Sequence, residues 1–291
     1  MFKSSFSKKM FGIFGAFLMT FHSFAWGPWG KMTSVRAKYF PELNGKPYRD
    51  PLLPYIYPEK KLSRGEFRLF LEKLSIEQRR DLYKTLGKET KSEVTEDMIE
   101  KQILWLSSSW VTYKFKKLDY HETVRWTAKK IGIHPAECEV GSTFQLERKI
   151  LEKLFSQVWD KMTPEQKEKV LKEAGLEPSQ IPGIVALTSA GVIAAAGTTA
   201  ALMGFGFYIL VAKTLVVWAA AVGVTAVTTV SAVSLLCGPI GWCVAGIAAV
   251  GGLVLLGGAN VHKTAAAIIA IHAIKATALT KSGIDVTQYL K

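Results

Sequence analysis

A run of apolar residues from position 183 to position 261 limits what this chain can fold into more than any other feature of its sequence. Lys213 is the only charged side chain in the run. The parts before and after Lys213 each exceed the length of about 20 apolar residues that a helix needs to cross a bilayer. A helical hairpin inside a soluble protein is an alternative, because Ala and Gly supply much of the run and Ala is only weakly lipophilic. The rest of the chain is too short to enclose such a run, so one or more membrane helices are predicted.

Glycine and proline residues divide this apolar region into candidate helices. Gly238-Pro239 and Gly257-Gly258 mark breaks. Lys213 belongs at a helix end, because a Lys at mid-membrane depth costs roughly 2.5 to 3.5 kcal/mol. We assign residues 182–280 to a membrane-associated region and residues 281–291 to a C-terminal tail. The predicted helices cover residues 184–212, 214–236, 240–256 and 264–279.

Residues 1–25 have the features of a secretory signal. Lys8 and Lys9 precede an apolar stretch over residues 10–24, and Ser23-Phe24-Ala25 puts small residues at the minus three and minus one positions of a cleavage site. Bulky aromatic side chains near this site leave an uncleaved N-terminal anchor and a cytoplasmic amphipathic start as alternatives. The pattern favours a signal peptide cleaved after Ala25.

Residues 26–62 predict an irregular arm. Six of the eleven prolines of the chain fall in this stretch, interleaved with four tyrosines. Proline at that density prevents a helix, because its ring fixes φ and its nitrogen donates no hydrogen bond. An aromatic strip that docks against lipid headgroups or a protein partner is the functional alternative to an irregular spacer.

Residues 63–181 have the spacing of amphipathic helices and predict a soluble bundle. Ser63 with Glu66, Ser75 with Gln78 and Thr163 with Gln166 have the spacing of capping boxes, which begin helices. Further helices are predicted over residues 97–114, 120–131 and 143–161. The glycines expected to end helices are Gly87, Gly132 and Gly175. The sequence therefore predicts an all-α fold, with an amphipathic helical bundle followed by an apolar region expected to be transmembrane.

The clearest of these helices is predicted over residues 143–161. Its apolar side chains recur at helical spacing, and its charged side chains are expected to face water. The expected core positions are Leu146, Ile150, Leu154, Phe155, Val158 and Met162. The expected solvent positions are Glu147, Arg148, Lys149, Glu152, Lys153 and Asp160.

The charge of the chain does not indicate a nucleic-acid-binding surface. The net charge is +13, but Lys and Glu alternate along the helices of the middle part instead of forming a stripe of one sign. Lys residues at the ends of apolar helices are typical of anchoring at a membrane interface. A lipid bilayer is therefore the expected partner, and nucleic acid is not.

One loop collects residues that can bind metals, but it does not predict a metal site. His134, Glu137, Cys138 and Glu139 lie close together in sequence, and no second pair of ligands at suitable spacing accompanies them. The three cysteines are too few for a disulfide framework. Cys237 and Cys243 would pair across the Gly238-Pro239 turn only in an oxidising compartment, and buried thiols are favoured.

The sequence also lacks a combination of residues that indicates catalysis. His121 beside Glu122, and His262 with His272, are expected to be solvated or interfacial histidines. The serines at positions 107–109 lie within a predicted helix without the glycines of a nucleophile elbow. We therefore expect a non-enzymatic protein without a cofactor, and assign no catalytic, cofactor-binding or metal-binding residues.

Two stretches in the middle of the chain resemble a known family. Ser142-Thr143-Phe144-Gln145-Leu146-Glu147 and Trp159-Asp160-Lys161-Met162-Thr163-Pro164-Glu165 are similar to the YaaW-like family of uncharacterised bacterial proteins, which is grouped with ubiquinol-cytochrome c chaperones. Residues 65–87, 237–241 and 257–275 fit more weakly. The resemblance implies an all-helical architecture without an established enzyme activity. The chain departs from the family in its signal-like start and in its more apolar C-terminal part.

These features predict a non-enzymatic, membrane-associated protein of the bacterial cell envelope, at the inner membrane or on its periplasmic face. The bundle is expected to offer a surface for a protein partner beside the membrane helices. A role in assembly or as a chaperone follows from the resemblance only. The alternative is a secreted, membrane-active effector of the pore-forming type, in which amphipathic helices shield apolar ones until they meet a target bilayer.

Overall fold

The computed structural model describes residues 40–43, 46–88, 92–107, 119–173, 176, 178–196, 210–211, 214 and 259–289. Within these ranges the chain is helical and contains no β-strand, which confirms the predicted all-α class. The signal-like residues 1–25 lie outside the described residues, as do residues 290–291 at the C-terminal end.

Ten α-helices with described bounds form the fold. They are α1 (Arg64–Glu72), α2 (Ile76–Thr85), α3 (Glu96–Ser107), α4 (Tyr120–Lys130), α5 (Pro135–Glu139), α6 (Thr143–Trp159), α7 (Pro164–Glu173), α8 (Ile181–Val185), α9 (Ser189–Ala196) and α10 (Ala259–Lys281). Short 3₁₀ helices cover Pro41–Leu43, Leu53–Tyr55 and Val286–Tyr289.

Capping boxes begin the helices where the sequence predicts them. At the start of α1, Ser63 and Glu66 exchange side-chain to backbone hydrogen bonds, and Ser75 and Gln78 do the same for α2. Thr163 N–H donates to Gln166 Oε1 at 3.0 Å ahead of α7, and Gln166 N–H donates back to Thr163 Oγ1 at 3.3 Å. These bonds satisfy backbone donors that a helix start leaves without intrahelical partners.

Glycines in the left-handed region end two of the helices at positions that the sequence predicts. Gly87 follows α2 with φ of 74°, and Gly132 follows α4 with φ of 85°. A residue with a Cβ is strained at such φ values, so glycine terminates a helix there at low cost. Both ends agree with the sequence prediction, whereas Gly175 lies outside the described residues.

The described part of the arm, residues 40–43 and 46–62, packs onto the bundle with little regular structure. Between residue 46 and residue 62 its only helical turn is the 3₁₀ helix Leu53–Tyr55. Phe40, Leu52, Ile56 and Leu62 are buried in the hydrophobic core. Apart from the two 3₁₀ helices, the described backbone of the arm is irregular, and its buried apolar side chains cover the bundle instead of facing water.

The central helix of the bundle is α10. It packs against α2, α3, α4 and α6, and against the 3₁₀ helices Leu53–Tyr55 and Val286–Tyr289. Every residue from Thr264 to Thr280 is buried. The sequence pattern predicts a helix over residues 264–279 but groups it with the membrane-associated region. A helix that is apolar on all sides is suited equally to a protein core and to a bilayer, so its pattern does not distinguish the two.

The start of the apolar region is broken into two short helices. A single helix over residues 184–212 was predicted, but α8 ends at Val185 and α9 begins at Ser189. Thr188 caps α9, since its Oγ1 accepts a hydrogen bond from Gly191 N–H at 3.3 Å. This helix prediction is therefore wrong at its N-terminal part.

The structure does not test the membrane helices predicted further along the run. The predicted helices over residues 214–236 and 240–256 lie outside the described residues, apart from Thr214. In the part of the chain that is described, no helix combines the length and the apolar character that a bilayer crossing requires. The transmembrane region stays a prediction.

Candidate functional site

Three charged or titratable side chains meet in the centre of the bundle, and we refer to Glu147, His272 and Lys275 as the buried cluster. Lys275 Nζ lies 2.6 Å from Glu147 Oε1, and His272 Nδ1 lies 3.1 Å from Glu147 Oε2. The side chains of Glu147 and His272 are 0% exposed and that of Lys275 is 3% exposed. The cluster is thus removed from water, and each carboxylate oxygen has its own partner.

Two helices that are distant in sequence build the cluster. Glu147 lies in the first turns of α6, after the capping box in which Ser142 Oγ accepts from Gln145 N–H. His272 and Lys275 lie three residues apart on α10, and this spacing puts both side chains on the same face of a helix. The pairing of α6 with α10 therefore brings a carboxylate opposite two nitrogen donors.

Aromatic rings surround the cluster. Phe144 lies with its ring centroid 4.4 Å from that of His272. The ammonium of Lys275 lies 5.5 Å from the ring centroid of Phe70 and 5.3 Å from that of Tyr120. A cation over a ring face is attracted to the electron-rich face of the ring, which adds to the pairing of Lys275 with Glu147.

The pKa directions agree with one negative and one positive charge in the cluster. Burial alone would raise the pKa of Glu147, but the Lys275 charge and the His272 hydrogen bond outweigh burial and lower this pKa. Burial lowers the pKa of His272 against the opposing effect of Glu147, with the charges of Arg148 and Lys275 also lowering it. The imidazole is therefore neutral near pH 7, and Nδ1–H donates to the carboxylate.

Tyr120 brings a fourth polar group to the cluster from α4. Its ring stacks on that of Phe67 with centroids 3.9 Å apart. Its hydroxyl is buried and lies beside the Glu147 carboxylate. Burial, with a contribution from the Glu147 charge, raises the pKa of Tyr120 well above its ordinary value, so this hydroxyl stays neutral.

The chemistry available to the cluster is limited by its own pairing. A carboxylate serves as a general base when it can reach a substrate proton, and Glu147 instead accepts from Lys275 and His272 in a dry core. Across the described ranges, no group of three or more His, Cys, Asp or Glu side chains is arranged to hold a metal ion. The geometry is that of a buried ion pair with a hydrogen-bonded histidine.

The predicted orientation of two residues on α6 is wrong. Glu147 and Arg148 were expected to face water, but they are 0% and 7% exposed. The spacing held a signal for Glu147, since Phe144, Ile150 and Leu151 lie three or four residues away and all are buried. Glu147 therefore lies within the apolar face of α6. It was assigned to the solvent face because its side chain is charged.

The predicted exposure of two histidines is also wrong. His272 was expected at a solvated or interfacial position and is fully buried in the cluster. His121 is 5% exposed, and its Nδ1 lies 2.9 Å from Thr143 Oγ1. Burial lowers the pKa of His121, with Lys61 adding to the effect. Glu122 is not a partner of His121 but pairs with Arg125.

The loop with potential metal ligands forms α5, and its side chains point to different partners. His134 Nδ1 accepts from Ala136 N–H at 3.3 Å as the cap of this helix. Glu137 pairs with Lys149, and Glu139 pairs with Arg125 and Lys129. Cys138 is a buried free thiol whose pKa is raised by burial.

Ser107 does not have the surroundings of a nucleophile. Its hydroxyl donates to Ile103 O at 3.0 Å, within α3. Ser108 and Ser109, the cysteines Cys237 and Cys243, and the side chain of His262 lie outside the described part of the chain.

The other end of α6 holds the chain that leads into the apolar segment. Trp159 Nε1–H donates to Leu187 O at 3.1 Å. Asp160 accepts from Ser189 N–H at 2.8 Å and from Ser189 Oγ–H at 2.6 Å. Helix α6 thus contacts both α9, which precedes residues 197–258, and α10, which follows them.

The chain matches no protein-family model, and neither the curated proteins nor the solved structures contain a match to it. The resemblance to the YaaW-like family therefore stays an expectation from the motif residues.

Proposed function

We propose that this chain is a non-enzymatic, membrane-associated protein of the bacterial cell envelope. In this proposal the helical bundle is a platform, and the apolar segment of residues 197–258 is the part that enters a lipid bilayer. The signal-like N-terminus supports a location in the envelope, at the inner membrane or its periplasmic face.

The observation that carries the proposal is that α6 anchors both flanks of the apolar segment. On the preceding side, Asp160 and Trp159 bind the backbone of residues 187–189. On the following side, Glu147 binds His272 and Lys275 of α10. Both flanks of the segment are thus held on one helix, and Leu210, Val211 and Thr214 within it are buried in the described structure. Two fixed flanks are the arrangement expected of an apolar segment carried by a helical platform.

The composition of the apolar segment, residues 197–258, favours a bilayer as its environment. Lys213 is its only charged residue. Leu, Ile, Val and Phe each favour membrane insertion by about 0.3 to 0.6 kcal/mol at a helix centre, whereas a central Lys opposes it by about 2.5 to 3.5 kcal/mol. A lipid bilayer is therefore the first partner that we propose.

The second partner that we propose is a protein that binds the bundle. The exposed side chains of the bundle mix positive and negative charge, as in the pairs Lys101 with Asp97 and Lys172 with Glu168. Such a surface favours a protein partner over nucleic acid. Assembly or chaperone work on that partner rests on the YaaW-like resemblance alone.

Membrane extraction with point variants tests the bilayer proposal. We expect the full chain to stay in the membrane pellet of its native host after alkaline carbonate extraction. Val222→Lys adds a charge far from either end of the segment and should move a large fraction of the protein to the supernatant. Ala212→Lys adds the same charge beside Lys213 and is the matched control, which should leave extraction unchanged. Complete release of the unsubstituted chain by carbonate would contradict the proposal.

A second candidate function is the membrane-active effector. The enclosure of the apolar α10 by α2, α3, α4 and α6 favours it, because an effector must cover its apolar helices while it is in water. A resident envelope protein and an effector differ in two assays. A detergent-free, secreted form that releases dye from liposomes supports the effector, and carbonate-resistant association with the producing cell's own membrane supports the resident protein.

A further inference from the structure

The buried cluster is balanced in charge, and this balance sets how it responds to acid. It holds one carboxylate, one ammonium and one neutral imidazole in a fully buried site. A proton added to His272 puts two cations beside one carboxylate. A proton added to Glu147 leaves the Lys275 ammonium without a counter-ion. Either event creates an uncompensated charge in the core, which is strongly unfavourable.

We infer that the buried cluster is an acid-sensitive latch between α6 and α10, which holds the central helix in the bundle at neutral pH and releases it as His272 takes up a proton. The latch acts within the bundle, so this inference goes beyond the proposed function and does not depend on where residues 197–258 lie.

The surroundings of His272 favour proton uptake in the released state only. Four titratable or charged groups bear on the site: Glu147 and Arg148 from α6, Lys275 from α10 itself, and Tyr120 from α4. Glu147 favours a protonated imidazole, while Lys275 and Arg148 oppose it. The Tyr120 hydroxyl lies beside the Glu147 carboxylate, so it remains a neighbour of this carboxylate when His272 withdraws.

Outside the cluster, α10 is held in the bundle mainly by apolar contacts. Most of its buried residues are Ala or Ile, whose side chains make no directional bonds. The hydroxyls of Thr277 and Thr280 donate to Ala273 O and Ala276 O of the same helix, so these two bonds remain when the helix moves. The C-terminal end is tied at Ser282, whose Oγ accepts from Asp50 N–H at 2.9 Å. We therefore expect release to begin at the cluster while the end of the helix remains attached.

Hydrogen exchange by mass spectrometry on the full chain tests the latch. Protection factors, corrected for the intrinsic pH dependence of exchange, are measured between pH 7.5 and pH 5 for peptides of α10 and, as a reference within the molecule, of α7. When the open state binds one more proton, the opening constant rises about tenfold per pH unit below the ordinary histidine pKa. We expect protection of α10 to fall by up to this factor while protection of α7 changes little.

His272→Gln keeps a side-chain N–H donor but cannot take up a proton, so it should remove the contribution of His272 to the pH dependence in α10. His134→Gln removes an exposed histidine and is the matched control, which should behave as the unsubstituted chain. The inference is overturned if His272→Gln retains the full pH dependence, or if α7 and α10 lose protection in parallel.

A measurement on the unsubstituted chain decides the matter if His272→Gln does not fold. Imidazole resonances of His272 are followed by NMR over the same pH range. The latch requires this ring to stay neutral until α10 loses protection. A ring that titrates near pH 6.5, the ordinary value for His, while α10 remains protected would overturn the inference.

Discussion

Glu147 is stable in the core because every charge around it has a partner. The carboxylate gains two charge-assisted bonds and a compensating positive charge from Lys275. By comparison, Glu100 on α3 is also buried, but its partner Arg64 is 43% exposed and retains contact with water. The buried cluster therefore depends on its internal pairing more than the Glu100 pair does.

Loss of the Glu147 charge should destabilise the fold strongly. Glu147→Gln leaves the Lys275 ammonium buried without a counter-ion, and breaking a buried pair in this way costs about 3 to 5 kcal/mol. We expect a loss of this size in the free energy of unfolding, measured by urea denaturation at pH 7.5. Glu168→Gln, in the exposed pair with Lys172, is the control and should change stability by less than about 1 kcal/mol.

The double variant Glu147→Gln with Lys275→Met separates the two contributions. It removes both charges and keeps side chains of similar volume, so we expect it to recover most of the lost stability. An equal loss in the single and double variants would mean that the cost comes from packing and not from the stranded charge.

Thr143 joins three parts of the molecule through one hydroxyl. Its Oγ1 accepts from Leu62 N–H of the arm at 2.7 Å and lies 2.9 Å from His121 Nδ1 of α4. Thr143→Val preserves the shape but leaves two buried polar groups without a partner, at a cost of about 1 to 3 kcal/mol each. Thermal unfolding should show this loss, and Thr143→Ser, which keeps the hydroxyl, should retain most of the stability. Equal melting temperatures in the Val and Ser variants would refute this role.

At the scale of single elements, the positions of the helices could be predicted from the sequence, but the orientation of their charged side chains could not. Capping boxes and glycines identified the ends of α1, α2 and α4, because these signals act between residues near in sequence. The orientation of Glu147 depends on His272 and Lys275, which lie more than a hundred residues away. Local periodicity contains no information about a partner so distant in sequence, so it assigns a charged residue to the surface.

The break between α8 and α9 shows the same limit. No charged residue interrupts positions 184–196, and the pattern predicts one helix. The helix is interrupted where Asp160 and Trp159, from the end of α6, bind the backbone of residues 187–189. Tertiary contacts thus fix a helix boundary for which the local sequence offers only the capping residue Thr188.

The contact between Asp160 and Ser189 should hold the start of α9. Asp160→Ala removes both hydrogen-bond acceptors of Ser189, and loss of a cap of this kind costs about 0.5 to 2 kcal/mol. We expect faster hydrogen exchange in residues 189–196 with little change in α4. Asp160→Asn retains one acceptor oxygen and should give an intermediate rate. Unchanged exchange in Asp160→Ala would show that other contacts fix this helix.

At the scale of the whole molecule, the helices before residue 197 and the helix after residue 258 form one bundle. The sequence suggested a bundle limited to residues 63–181, but its central helix is α10, over Ala259–Lys281. The amphipathic faces of α2, α3, α4 and α6 require an apolar partner, and the composition of α10 supplies it. Hydrophobic pattern alone did not assign α10 to the bundle, because the same pattern suits a bilayer.

This assembly buries two neutral histidines, which makes the stability of the whole bundle sensitive to pH. The pKa values of His121 and His272 are lowered by burial, from an ordinary value of 6.5. Between 6.5 and those lowered values, the unfolded chain binds protons that the folded chain does not, so stability falls as pH falls. Below about pH 4.5, the carboxylates Glu66 and Glu147, whose pKa values are lowered in the fold, add a further loss.

We therefore expect the free energy of unfolding to decrease by up to about 1.4 kcal/mol per pH unit for each of these histidines, from pH 6.5 downward. Urea denaturation of the full chain at pH 7.5, 6.5, 5.5 and 5.0, at constant ionic strength, measures this slope. The double variant His121→Gln with His272→Gln should reduce the slope to less than half, since neither glutamine binds a proton. His134→Gln should leave it unchanged, because this side chain is exposed. If the double variant keeps the slope of the unsubstituted chain, the acid sensitivity arises outside α4 and α10, and the burial of the two imidazoles does not control it.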